Sequence, residues 1–176
     1  MKKIIITLIV LAGIGGLGYG ALGLFKANTK KYSPETVSKF TKDGTEVSVS
    51  YCQPSKKGRV IFGELVPYNE VWRTGANEAT VFKTTKPIQF GSETLQAGSY
   101  SIFTIPTATD WTVIFNQETG QWGTQYNEKD DVLRVKASTE ATSETREILE
   151  IFFDESAPQL ILTWDSTKVT LPFQVQ

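Results

Sequence analysis

The stretch Tyr68-Asn69-Glu70-Val71-Trp72-Arg73-Thr74-Gly75-Ala76-Asn77-Glu78 holds the densest set of recognition chemistry in the sequence. It sets a guanidinium, two amides and two carboxylates beside a rigid aromatic. Arg73 suits an acidic partner, since its planar fork matches a carboxylate, and Asn77 offers both amide donors and an acceptor. Trp72 supplies a flat apolar face, and Gly75 lets the backbone turn and a ligand approach. A second stretch, Gly120-Gln121-Trp122-Gly123-Thr124-Gln125-Tyr126-Asn127-Glu128, places two aromatics among amides, the composition of a sugar-stacking platform. The expected ligand-binding set is Trp72, Arg73, Asn77 and Glu78, joined by Trp122 and Tyr126. A rival reading makes Trp72 a core residue, pairs Arg73 with Glu78 or Glu70, uses Asn77 in a turn and folds Trp122 over the core. The polar groups then satisfy one another, as burial would require of them.

Catalytic chemistry is narrowed by an absence: the chain has no histidine. That removes the usual general base near neutral pH, the Ser-His and Cys-His pairs and the commonest metal ligand. A hydrolase-like reading would have to use a carboxylate, Glu78 or Glu70, with Arg73. Ser55 beside Lys56 and Lys57 is a nominal Ser-Lys pair that nothing in the sequence sets in a pocket. The acids Glu128, Asp130 and Asp131 lack the glycine and spacing of a calcium loop and read as a solvated turn. No metal or cofactor is expected. The lone Cys52 ends an alternating run and reads as a small apolar strand residue.

The elements that must position these groups read as strands. Alternation covers residues 46–52, and short apolar runs at 59–64, 79–84, 87–90, 94–96, 99–105 and 111–116 are separated by turn signals. Strands follow at 132–137 and 146–153, and a hairpin at residues 165–167 is expected to join 159–164 to 168–175. Such spacing predicts a mainly β, single-domain antiparallel fold, a β-sandwich in preference to the barrel-like alternative. The domain is expected over residues 39–176, after a polar linker at 27–38. With 40% hydrophobic residues the chain can build a core without crosslinks, and a net charge of −1 argues against a nucleic-acid partner.

Residues 1–26 read as targeting. Lys2 and Lys3 precede an uncharged run over residues 4–25, long enough for one membrane-crossing helix. Two readings stand: an uncleaved signal-anchor, favoured by length, or a cleaved signal peptide with small residues at Gly18 and Gly20 or Ala21 and Gly23. The first predicts a single-pass, membrane-anchored protein whose folded domain lies on the exported, periplasmic side; the second predicts secretion.

Several ungapped blocks resemble the domain of unknown function 2911 family. They include Tyr51-Cys52-Gln53-Pro54-Ser55-Lys56-Lys57-Gly58-Arg59, Val71-Trp72-Arg73-Thr74-Gly75-Ala76-Asn77-Glu78-Ala79-Thr80, Leu95-Gln96-Ala97-Gly98-Ser99-Tyr100 and Gln121-Trp122-Gly123. The resemblance runs from about residue 33 to the C-terminus. It implies a bacterial envelope domain with an export signal and supplies no catalytic roles. Cys52 stands where a serine or another small residue is expected in relatives. Together these readings lead to a non-enzymatic binding or interaction module for a small polar or carbohydrate ligand, held to a membrane by its N-terminal helix. The alternatives are the carboxylate hydrolase and a purely structural envelope domain.

Overall fold

The computed structural model describes Gly23, residues 28–154 and residues 156–175. The hydrophobic run over residues 4–25 lies outside the described residues apart from Gly23. Among the described residues no helix is long and apolar enough to cross a membrane.

From Ser33 onward the chain is mainly β and antiparallel. The strands are β1 (Glu35–Lys42), β2 (Thr45–Cys52), β3 (Thr80–Thr84), β4 (Ile88–Phe90), β5 (Glu93–Leu95), β6 (Gly98–Pro106), β7 (Asp110–Asn116), β8 (Asp131–Asp154), β9 (Gln159–Pro172) and β10 (Gln174–Val175). Seven form one sheet in the order β1-β2-β3-β6-β7-β8-β9; β10-β4-β5 form a second, smaller sheet. The large sheet curls into a half-barrel, so the fold follows the barrel-like alternative and not two equal layers.

The curl is fastened where the chain leaving β2 meets β8, although three strands separate them in the sheet order. The Lys56 amide donates to the Glu147 carbonyl at 2.7 Å, and the Leu149 amide to the Pro54 carbonyl at 3.1 Å. The Gln53 side chain donates to the Leu149 carbonyl at 3.1 Å, and the Ile151 amide donates to the buried Tyr51 hydroxyl at 2.8 Å. The Lys56 ammonium pairs with Asp165 across the same seam. Replacing Tyr51 with phenylalanine is expected to lower stability by about 1 to 2 kcal/mol. The buried Ile151 N–H would lose its acceptor while the ring's packing stays; urea unfolding of the variant measures the loss.

Alternation fills the inside of the curl. Val47, Val49 and Tyr51 of β2 point inward and are buried, as are Leu149, Ile151 and Phe153 of β8. Phe90 and Phe173 close on Phe40, Phe82, Phe115 and Phe153, with Phe90 and Phe115 ring centroids 5.0 Å apart. A second aromatic group joins Phe62, Trp72, Trp111 and Trp164; Phe62 meets Trp111 edge-on at 5.1 Å and Trp72 stacks on Trp164 at 6.0 Å. Edge-on and offset contacts are the arrangements that ring quadrupoles favour.

Four sequence readings are corrected. Residues 59–64, read as a strand, form turns that carry Ile61 and Phe62 into the core. Residues 132–137 and 146–153 belong to one long strand, with register shifts between Ala141 and Glu150. The hairpin expected at 165–167 is absent: β9 runs through it, and Asp165, at φ 53°, absorbs the irregularity as a bulge would. Finally, β1 begins at Glu35, inside the segment read as linker. It is an edge strand with exposed alternate positions, so its polar composition concealed it.

Candidate functional site

The strands β6 and β7 are buried on both faces, unlike most of the sheet. Ile102 and Phe115 face the main core. Their neighbours Phe103 and Ile114, paired across the two strands, face outward and form a small second core with Ala79. Two segments cover it: the loop before β3, residues 69–79, and the segment after β7, residues 117–130.

The first loop is tied to β6. The Asn69 amide donates to the Pro106 carbonyl at 2.8 Å, and Trp72 and Thr104 exchange backbone hydrogen bonds at 2.7 and 2.9 Å. This extra pairing continues where β3 leaves off, and its alternation turns Trp72 toward the aromatic core and Arg73 outward. The loop then tightens through left-handed backbone at Thr74 (φ 51°) and Asn77 (φ 61°). That conformation is costly for a β-branched residue. It is held in place: buried Thr74 hydrogen-bonds the Thr104 hydroxyl at 3.1 Å, and Thr80 donates to its carbonyl at 2.7 Å.

The second segment is pinned onto the first. The Ala79 amide donates to the Gln121 carbonyl at 3.1 Å and the Gly123 amide to the Asn77 carbonyl at 2.9 Å. The fully buried Asn116 side chain donates to the Asn127 carbonyl and to Asp131 Oδ1, both at 2.9 Å. Tyr126 packs its ring on Phe103, with centroids 4.8 Å apart. Its hydroxyl donates to Asp131 at 2.7 Å and accepts from Arg134 at 2.9 Å. Arg134 also pairs with Asp131 and Glu128. The tyrosine hydroxyl is thus occupied, and what Tyr126 presents is its ring.

Between the two segments lies an open cleft of about 380 Å³, lined by Val71, Trp72, Arg73, Phe103, Gly123, Thr124 and Tyr126. Arg73 lies along one side with its stem against Gly123. Its Nε donates to the Gly75 carbonyl at 3.1 Å, which fixes the plane of the guanidinium. Among the described residues, the two terminal amino groups of Arg73 have no hydrogen-bond or ion-pair partner. The arrangement therefore presents an oriented cationic fork above apolar side chains.

The chain belongs to the DUF2911 family. The family model, described as Protein of unknown function (DUF2911), matches residues 33–173, which spans every strand of the fold up to β9 and both segments of the cleft. No curated protein and no solved structure matches the chain. In this DUF2911 domain the residues expected to bind a ligand divide. Arg73, Tyr126 and an edge of Trp72 meet at the cleft. Trp72 also packs against the aromatic core, as the rival reading had it. Asn77 works through the backbone, holding Gly123 with its carbonyl, while its side chain donates to the Ser33 carbonyl at 3.3 Å. Glu78 and Trp122 form an isolated bridge with each other and lie outside the cleft's lining, as does exposed Glu70. Val71, Phe103, Gly123 and Thr124 complete the site. For Phe103 a signal existed: the adjacent apolar pair Ile102-Phe103 departs from alternation, as a strand covered on both faces does.

Burial, followed by the hydrogen bond to Asp131, pushes the Tyr126 hydroxyl from 10.0 up to about 12. The neutral phenol is thus favoured in the folded state. Its stabilisation is complete below pH 10 and is lost as pH rises through about 12, because the unfolded chain releases that proton first. Buried Tyr51 is shifted in the same direction. Stability is therefore expected to fall between pH 10 and 12, and Tyr126→Phe should make the fall shallower; melting curves across that range check it.

Proposed function

We propose that this DUF2911 domain is a non-enzymatic binding module whose site is the cleft between residues 71–73 and 123–126. The observation that carries the reading is the Arg73 fork, oriented by Gly75 and left without a protein partner among the described residues. A positively charged group fixed beside apolar side chains is one of the few placed polar groups by which small-molecule sites orient a ligand. The hydrolase reading has less support. Among the described residues no carboxylate lines the cleft, and Arg73 forms no ion pair with Glu70 or Glu78. A general acid or base has to lie within hydrogen-bond reach of the reacting group.

In this reading the N-terminal hydrophobic run holds the module to a membrane, and the domain meets its small polar ligand on the exported side. The test is an unbiased small-molecule screen of the full chain by melting-temperature shift, repeated on Thr124→Trp. Thr124 is an exposed lining residue, so the indole fills the cleft without entering the core. Compounds that stabilise the parent and not the variant support the reading. Compounds that stabilise both equally would place binding elsewhere.

A further inference from the structure

We propose that the cleft selects a carboxylate carried on a ring-sized apolar body, and that it discriminates against neutral sugars. The inference rests on the cleft being a binding site and names the chemistry it accepts.

Three features set that chemistry. The free edge of Arg73 offers two parallel N–H donors, and its third, Nε, is already engaged by Gly75. A guanidinium anchored in this way matches the two oxygens of a carboxylate and is poorly matched to a lone hydroxyl. The rest of the lining is mainly apolar. Phe103 forms the floor, Tyr126 gives a ring whose hydroxyl is taken by Asp131 and Arg134, and Val71, 39% exposed, stands at the rim. Thr124 is the further lining side chain with a hydroxyl, and among the described residues it has no partner. A sugar ring presents hydroxyls around its whole edge, and leaving them unpaired against apolar walls opposes binding. Trp122, the residue that would complete a stacking platform, lies outside the lining. The volume, about 380 Å³, leaves room for a body of one ring.

The experiment is a chemical-shift titration of the full chain with phenylacetate, its neutral isostere phenylacetamide, glucuronate and glucose. Phenylacetate should shift the amides of Gly123 and Thr124 and bind about tenfold or more tightly than phenylacetamide, the ratio expected of a charge-assisted pair. Glucuronate should bind more weakly than phenylacetate, and glucose should leave those amides unmoved. Arg73→Lys retains stem and charge but loses the fork, so it should lose most of the acid preference; Arg73→Gln should abolish it. Equal binding of acid and amide, tightest binding by glucose, or unchanged phenylacetate affinity in Arg73→Gln would overturn the carboxylate assignment. Shifts at Gly123 and Thr124 in such a case would leave the cleft a binding site of other specificity. No shift there with any probe, together with screen compounds that Thr124→Trp leaves unaffected, would instead overturn the binding reading itself.

Discussion

Trp111→Ala is expected to destabilise the domain by about 3 to 5 kcal/mol, a large part of the stability of a domain this size. Trp111 is 1% exposed and meets Phe62 at 5.1 Å and Trp72 at 6.1 Å. Removing it leaves a cavity bordered by the turns at 59–66 on one side and by the base of the cleft loop on the other. Among the described residues those turns pair with no strand, and they depend on Ile61 and Phe62 entering the core. The loss should therefore show as a lower urea midpoint and as faster amide exchange at residues 59–73 than in β6 and β7. A loss of less than 1 kcal/mol would mean that the second aromatic group is not a packed core.

The second large effect concerns Gly123. A Cβ at this position would lie 2.8 Å from Arg73 Cδ and 3.0 Å from both Arg73 Cβ and the Asn77 carbonyl oxygen. Gly123→Val adds three carbons where even one does not fit. The segment at 120–126 must move off the loop at 69–79, breaking the hydrogen bond to Asn77 and lifting Tyr126 from Phe103. We expect a loss of about 3 kcal/mol, at the upper end for overpacking. Binding at the cleft should disappear even below the melting temperature, since Arg73 and Tyr126 would no longer line one cleft. A valine variant that melts like the parent would show that the two segments are not in close contact.

The β class was legible because alternation and turn residues recur along the chain, and because β2 and β3 bury alternate side chains on the core face. The curl was harder to read. It depends on backbone hydrogen bonds that join Pro54 and Lys56 with β8, Pro54 accepting and Lys56 donating, which leave no trace in side-chain pattern. The same holds for β9, where Asp165-Ser166-Thr167 has the composition of a turn but continues the strand through one left-handed residue. At the site, the side chains with hydrogen-bonding groups drew attention to residues 68–78 and 120–128, and these two segments do meet. Which members face the cleft was decided by alternation from Trp72, a register fixed by pairing with Thr104. The Asn77 carbonyl holds Gly123, and Asn77 and Glu78 lie outside the cleft's lining. Val71 and Phe103 had no polar signature to mark them.

A fork that serves a ligand is not committed to holding the fold together. The equilibrium stability of Arg73→Met tests this, since methionine keeps an unbranched stem against Gly123 and removes the guanidinium. The expected result is a loss of about 1 kcal/mol in urea unfolding, the contribution of the single hydrogen bond to Gly75. A loss of about 3 to 5 kcal/mol, the range for breaking a buried charged network, would contradict it and make Arg73 a structural residue.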